Sequence, residues 1–269
     1  MKRFDGVLIL ADMDGTLLDP SGAIAECDRL AIDRFIDGGG MFGVATGRAR
    51  RSVELFLPEL HTSAPSIVHN GALVTDLRTG EDVRTLWLGD VGAHIVEDVL
   101  EMFPQVGIEI CLPDDQFVAR GNFFSERHHK NIGLEMKLRS YKDVPQPWLK
   151  LNLTADHEVL LDAREHILSR YGKEIFAQFS LPHYYEIMAK GASKGDSAMW
   201  LRDRLGVRPE NFYTIGDGTN DLELVKASGI NSCAPENARD IIKDAAAHIL
   251  PDNANGAMAT MIDMLDKKY

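Results

Sequence analysis

The chain opens with a short apolar run, Val7-Leu8-Ile9-Leu10-Ala11, which stops at Asp12-Met13-Asp14-Gly15-Thr16. An unbroken, β-prone run closed by a turn signal predicts a parallel strand buried on both faces. Ile24, Cys27, Leu30, Ala31 and Phe35 then recur at helical spacing and give way to Gly38-Gly39-Gly40, a helix stop. Met41 to Ala45 reads as a second strand ending at Thr46-Gly47-Arg48, and a helix follows to Leu57 before Pro58. Ser66 to His69 reads as a third strand, ending at Asn70-Gly71. Strands alternating with helices in this way imply βαβ crossovers and a parallel sheet.

Past Ala72 the pattern changes. Leu73 to Leu88 predicts a hairpin around Arg78-Thr79-Gly80. Strands of alternating character follow at Gly107 to Leu112, Gln116 to Arg120, Trp148 to Thr154 and Ile175 to Leu181, with helices near Val91 to Met102 and Glu158 to Tyr171. Short connections between such strands predict an α+β unit with an antiparallel sheet. After Met188 the strand–helix alternation resumes: a helix opens at Lys194, and a strand over Phe212 to Ile215 runs into Gly216-Asp217-Gly218-Thr219-Asn220-Asp221. A helix over Leu222 to Ala227, a strand near Asn231, a helix from Glu236 to Ala246 and a terminal helix from Asn255 complete the chain. The simplest organisation is one α/β domain, residues 1–87 and 188–269, interrupted by an α+β domain at 88–187. Linkers are expected near Leu86 to Asp90 and Tyr184 to Lys190.

A chain of 269 residues with 45% hydrophobic content has the makings of an ordinary globular protein. Its net charge of -12 argues against nucleic acid or an anionic membrane surface as a partner. No stretch has the length of a membrane span, and the first apolar run ends too early for a signal-peptide core, so a cytoplasmic location is expected. The three cysteines, Cys27, Cys111 and Cys233, form no CxxC pair and suit a reducing compartment. The adjacent His128 and His129 point two ways on any regular element and read as a solvated face rather than a zinc site.

The polar turns carry the chemistry. Asp12, Asp14, Thr46, Lys194, Asp217 and Asp221 all fall at strand ends or helix starts, and parallel strands bring their carboxyl ends to one rim of the sheet. Carboxylates, a lysine and a hydroxyl on one rim describe a hard-cation site with an anion-binding side, which suits Mg2+ and a substrate phosphate. A carboxylate can attack phosphorus once positive groups neutralise the phosphoryl oxygens, and a second carboxyl can protonate the leaving oxygen and then deprotonate water. This division assigns Asp12 as nucleophile, Asp14 as acid/base and Asp217 as metal ligand, with Asp221 as ligand or support. Each feature has a plainer reading by itself: Thr46-Gly47 as a helix cap and turn, Lys194 as a surface lysine, Asp217-Gly218 as a turn, Asn70-Gly71 as a hairpin turn. Four turns supplying complementary parts of one reaction tip the balance to function.

In these residues the chain resembles the haloacid dehalogenase superfamily of phosphatases. Asp12 to Thr16 matches its DxDGT motif, Thr46-Gly47-Arg48 its second motif, Lys194 its third, and Gly216 to Asp221 its GDGxND motif, while Asn70-Gly71-Ala72 is similar to the Cof-type subgroup. The resemblance covers the whole length and implies a Rossmann-like three-layer α/β core with a parallel sheet, plus an inserted α+β cap that sets substrate specificity. It implies a magnesium-dependent hydrolase of small phosphoesters, acting through an aspartyl-phosphate. Asp12, the Asp14 backbone and Asp217 would hold the ion. The backbone of Met13 and Gly47, the Thr46 hydroxyl, Lys194 and Asn220 would cradle the phosphate, with Asn70 beside them. Arg48 would either contact the leaving group or solvate the helix with Arg50 and Arg51. In the inserted domain Arg120, His128, Lys150 and Tyr184 are weak specificity candidates, each more simply a surface charge or packing aromatic, and Trp148 and Tyr185 read as core. A phosphomutase or phosphotransferase using the same intermediate is the alternative, followed by a non-catalytic binding module. A monomer or small homo-oligomer is expected.

Overall fold

The computed structural model describes residues 2–132 and 135–269. The first block contains β1 (Leu8–Ala11), α1 (Glu26–Asp37), β2 (Met41–Val44), α2 (Arg50–Glu54), β3 (Ser66–Val68), β4 (Leu73–Asp76) and β5 (Glu81–Thr85). The middle block contains α3 (Val91–Met102), β6 (Gly107–Cys111), β7 (Gln116–Arg120), α4 (Phe123–Ile132), β8 (Lys150–Thr154), α5 (His157–Tyr171), β9 (Ile175–Leu181) and β10 (Tyr184–Ala189). The last block contains α6 (Lys194–Arg204), β11 (Phe212–Ile215), α7 (Leu222–Ser228), β12 (Ser232–Pro235), α8 (Asp240–Ala245), β13 (His248–Leu250) and α9 (Ala257–Lys268). By contacts the chain divides into two compact units, 1–84 with 193–269, and 85–192.

The first unit is built on a five-stranded parallel sheet in the order β13-β12-β11-β1-β2. Every residue of β1 is buried, as its unbroken apolar run requires of a strand covered on both faces. Leu8 and Leu10 pack with Phe212, Ala198, Leu201 and Leu224 in one core. The order of strands reverses around β1, with β2 on one side and β11 on the other. A crevice beyond the carboxyl ends is therefore expected where β1 and β11 part. Ala11 sits in register with both Ile215 and Val44, so the turns after these three strands share one rim.

Two features of this unit differ from the sequence reading. The third strand, β3, belongs to a separate sheet, β3-β4-β5, and pairs antiparallel with β4. It meets the parallel sheet at the bridge Ala45–Ile67 and through the Ser66 hydroxyl, which accepts from the Val44 amide. The edge strand β13 went unrecognised because His248 and Ile249 are exposed, which leaves three residues without a buried pattern to read.

The second unit is an antiparallel sheet, β7-β6-β8-β10-β9. Ile108, Ile110, Leu151, Leu153, Tyr185 and Ile187 pack one face against Ile95, Val96 and Val99 of α3 and Leu160 and Ile167 of α5. Trp148 and Tyr185 are in this core, as expected. The segment read as a linker, Tyr184 to Lys190, is instead mostly β10, an internal strand paired on both sides. Its polar alternate positions hid it: Glu186 is buried on the opposite face beside Lys150. That face also carries Glu109, Asn152 and Thr154, all buried.

Candidate active site

The turns after β1 and β11 and the start of α6 converge. Lys194, the first residue of α6, is buried, and its Nζ donates to Asp12 Oδ1 and Asp221 Oδ1, each at 2.6 Å. The Ser193 hydroxyl caps the helix by accepting from the Asp196 amide at 3.0 Å, which fixes where α6 begins and so where Lys194 projects. Glycine at 195 lets the next helix come close, since a Cβ there would collide with the Glu223 carbonyl of α7. Asp221 Oδ2 in turn accepts from the backbone amides of Asp217 at 3.1 Å and Gly218 at 2.9 Å. Both oxygens of Asp221 are thus engaged in holding the loop and the lysine.

Asp217 faces the first strand's turn. Its Oδ1 accepts from the Thr16 hydroxyl at 3.0 Å. Gly15, at φ +80°, passes so close that a Cβ on it would lie 2.5 Å from Asp217 Oδ2. Carboxylate oxygens of Asp12, Asp217 and Asp221 all lie within 4.8 Å of one another. Burial, then the charge of Asp221, lifts Asp12 well above the usual carboxylate range against the pull of Lys194. Burial and Asp221 likewise push Asp217 up to about 6. Burial opposes the charge on Lys194, but Asp12 and Asp221 outweigh it and hold the lysine protonated. One ammonium among three carboxylates, Asp12 and Asp221 buried and Asp217 half-buried, leaves the pocket short of positive charge. The donor set is all oxygen, and carboxylates so arranged suit a hard divalent ion.

The remaining candidates lie on the same rim. Met13 is buried in the turn after β1, its carbonyl accepting from the Thr16, Leu17 and Leu18 amides. Thr46 Oγ1 accepts from the Arg48 amide at 3.2 Å, closing the turn through Gly47. A Cβ on Gly47 would lie 2.9 Å from Asn70 Nδ2. Asn70 itself has φ +54°, a left-handed backbone on a buried non-glycine residue, and such strain clusters at functional sites. Its Oδ1 accepts from Asn220 Nδ2 at 3.2 Å, which joins the turn after β3 to the turn after β11.

Arg48 turns to the first strand's turn and not to the helix flank with Arg50 and Arg51. Its guanidinium grips Asp14 with both arms, Nε to Oδ2 at 2.7 Å and NH2 to Oδ1 at 2.6 Å, and lies 5.1 Å from the Phe56 ring centre. Asp14, 58% exposed at its side chain, is the outermost carboxylate of the group. Two supporting residues escaped the sequence reading: Thr16, and Asn237, whose Nδ2 donates to the Gly15 carbonyl at 2.8 Å. Thr16 was legible as part of DxDGT. Asn237 lies in no motif.

The candidates in the second unit are engaged within that unit. Arg120 donates to the carbonyls of Val99, Leu100, Phe103 and Val106 at 2.6–3.2 Å, tying down the end of α3. Lys150 is buried and paired with Glu186 at 2.7 Å, so neither is a surface charge. Tyr184 places its ring 5.2 Å from His128. The pair read as a solvated face is not one: His129 is buried, and both imidazoles turn toward Glu109.

The haloacid dehalogenase-like hydrolase family matches residues 9–262 of the chain. A putative phosphatase of Buchnera aphidicola is 26% identical over 88% of both chains. A 5-amino-6-(5-phospho-D-ribitylamino)uracil phosphatase of Bacillus subtilis, YcsE, is 28% identical over 95% of this chain and 94% of its own. Among solved structures, TM0651 from Thermotoga maritima superposes with a TM-score of 0.83 at 23% identity, covering 96% of this chain and 97% of its own. The phosphatase BT1666 from Bacteroides thetaiotaomicron superposes with the same TM-score at 21% identity, over 98% and 96%. Acid turns on one rim of a reversed parallel sheet, and a match over nearly the whole length, lead to one conclusion: the chain belongs to the haloacid dehalogenase-like hydrolase family.

Proposed function

We propose that the chain is a magnesium-dependent phosphohydrolase of small phosphorylated metabolites, a phosphoric monoester hydrolase working through an aspartyl-phosphate. The observation that carries the reading is the buried meeting of Lys194 with Asp12 and Asp221, beside the half-buried bond of Thr16 to Asp217, at the ends of β1 and β11. Named relatives that act on small phosphorylated compounds support the substrate class. Asp12 is the nucleophile: its carboxylate attacks phosphorus, the leaving oxygen departs with a proton, and water then releases phosphate from the acyl phosphate. Lys194 neutralises the phosphoryl oxygens, and the Thr46 hydroxyl, Asn220 and the backbone at Met13 and Gly47 complete their cradle. Asp14 supplies and then recovers the proton once its carboxyl has left the two-armed grip of Arg48 and taken up a proton. Asp12 and Asp217 would hold the magnesium ion, together with the Asp14 backbone, since the Asp221 oxygens are already engaged. The ion supplies the positive charge that the pocket lacks.

A screen of phosphate release across a phosphometabolite panel, with and without Mg2+, tests the reading. The expected result is metal-dependent release from at least one small phosphoester, without an added acceptor hydroxyl, and its loss in Asp12→Asn. Activity surviving in Asp12→Asn would overturn the mechanism. Transfer only to an acceptor would make the chain a phosphotransferase.

A further inference from the structure

We infer that Glu109, His128 and His129 form a second metal site, in the 85–192 unit, for a zinc-class divalent ion. This inference does not depend on the function proposed above. Glu109 projects from β6 onto the polar face of the antiparallel sheet and is completely buried. His128 Nδ1 lies 2.9 Å from Glu109 Oε2, and His129 Nε2 lies 3.7 Å from Glu109 Oε1. Successive helical residues diverge by about 100°, yet both rings reach one carboxylate. His128 uses its near nitrogen and His129 its far one, and the rings stand at 76° to each other. The three donor atoms lie within 4.8 Å of one another. Donors about 2.0–2.2 Å from a tetrahedral zinc stand roughly 3.3–3.5 Å apart, and the two measured separations bracket that spacing. Two imidazoles and one carboxylate are a zinc donor set.

A separate observation points the same way. Asn152, 3% exposed, sets its Nδ2 2.6 Å from Glu109 Oε2. Its buried Oδ1 has no hydrogen-bond partner among the described residues. A bare amide oxygen beside three converging donors offers a fourth position to a cation. Gln116 Nε2 steadies the same carboxylate at 2.9 Å.

The test uses the full chain, stripped with a chelator and returned to excess Mg2+ so that the acid pocket of the other unit is filled. Zn2+ is titrated against a chromogenic chelator, and Co2+ is substituted for its visible spectrum. The inference predicts one Zn2+ per chain that Mg2+ does not displace, and a four-coordinate Co2+ spectrum with imidazole ligands. Binding falls at least tenfold in His128→Ala and in His129→Gln, falls about 10–100-fold in Asn152→Ala, and is unchanged in Asp217→Asn. Absence of Zn2+ binding in excess Mg2+, binding retained in both histidine variants, or binding lost in Asp217→Asn overturns it. If a histidine variant fails to fold, X-ray absorption on the Zn2+-loaded parent decides: fewer than two imidazoles around the metal refutes the site.

Discussion

Replacing Lys194 by methionine removes the ammonium that bridges Asp12 and Asp221 and keeps an unbranched stem one atom shorter. In the parent, Nζ stands 2.6 Å from both Asp12 Oδ1 and Asp221 Oδ1, with the lysine fully out of water. A unit charge pair at about 4 Å is worth roughly 4 kcal/mol at an effective dielectric of 20. Two such attractions are offset by the desolvation of the ammonium and by the mutual repulsion of the carboxylates it joins. Breaking a buried pair typically costs about 3–5 kcal/mol, and that is the expected loss for Lys194→Met at pH 7.5 without divalent metal. The loss depends on pH with a definite sign. Asp217 sits at about 6 in the fold against 3.8 free, and Asp12 is also raised. Such groups favour the fold fully when protonated below about pH 4, and that contribution is lost as pH rises through the folded value. Without Lys194 both values climb further, so the variant's deficit shrinks as pH falls toward 4.5. Divalent metal should narrow it as well, because the carboxylates left without Lys194 hold a cation more tightly than the parent's do, and an ion that binds only the fold stabilises it more the tighter it binds. Urea denaturation of parent and variant at pH 4.5 and 7.5, with and without Mg2+, measures all of this. A variant as stable as the parent at pH 7.5 in chelator, or a deficit that grows on acidification, would refute the electrostatic account.

Gly15→Ala should leave the fold intact at a cost of about 1–3 kcal/mol for the left-handed backbone while lowering turnover at least tenfold, since the new Cβ would press on Asp217; thermal melts and phosphate release separate the two effects. Asp28 is fully buried with Oδ1 accepting from the Ala259 amide and is pushed up to about 6 by burial, so its charged form weakens the fold above that pH. Asp28→Asn should therefore raise the urea midpoint at pH 8, by at most about 2–3 kcal/mol of stability, and change nothing at pH 4. Arg120→Ala strips four carbonyls at the end of α3 of their donor and should cost about 2–3 kcal/mol, with faster amide exchange over residues 99–106 as the local signature.

The parallel sheet was legible because β1, β2 and β11 are continuous buried runs that stop at glycine-bearing polar turns, a pattern with few alternatives. The turns that meet were legible for the same reason: residues such as Asp12 and Asp217 sit one or two positions past strands whose register was implied. What escaped was whatever a chain-local pattern does not contain. β10 alternates Glu186 with Ile187, and its polar half is buried only because Lys150 arrives from a neighbouring strand. Arg120 and Lys150 looked like surface charges because their partners lie 14 to 36 residues away. The histidine pair was misread because a helix periodicity argument places Cβ atoms, whereas the choice between near and far ring nitrogens decides what an imidazole reaches.

The lysine that balances Asp12 enters the chain only after the whole of Thr85–Ala192 has been made. During synthesis the first strand and its acid turn must wait for a counter-charge encoded on the far side of the insertion. Closing so long a loop is an entropic toll that falls if the intervening segment has already condensed. The inserted unit then acts as a timing element: the sooner it folds, the sooner the two halves of the parallel sheet find each other. Circular permutants that bring 193–269 directly ahead of residue 1 would abolish that delay.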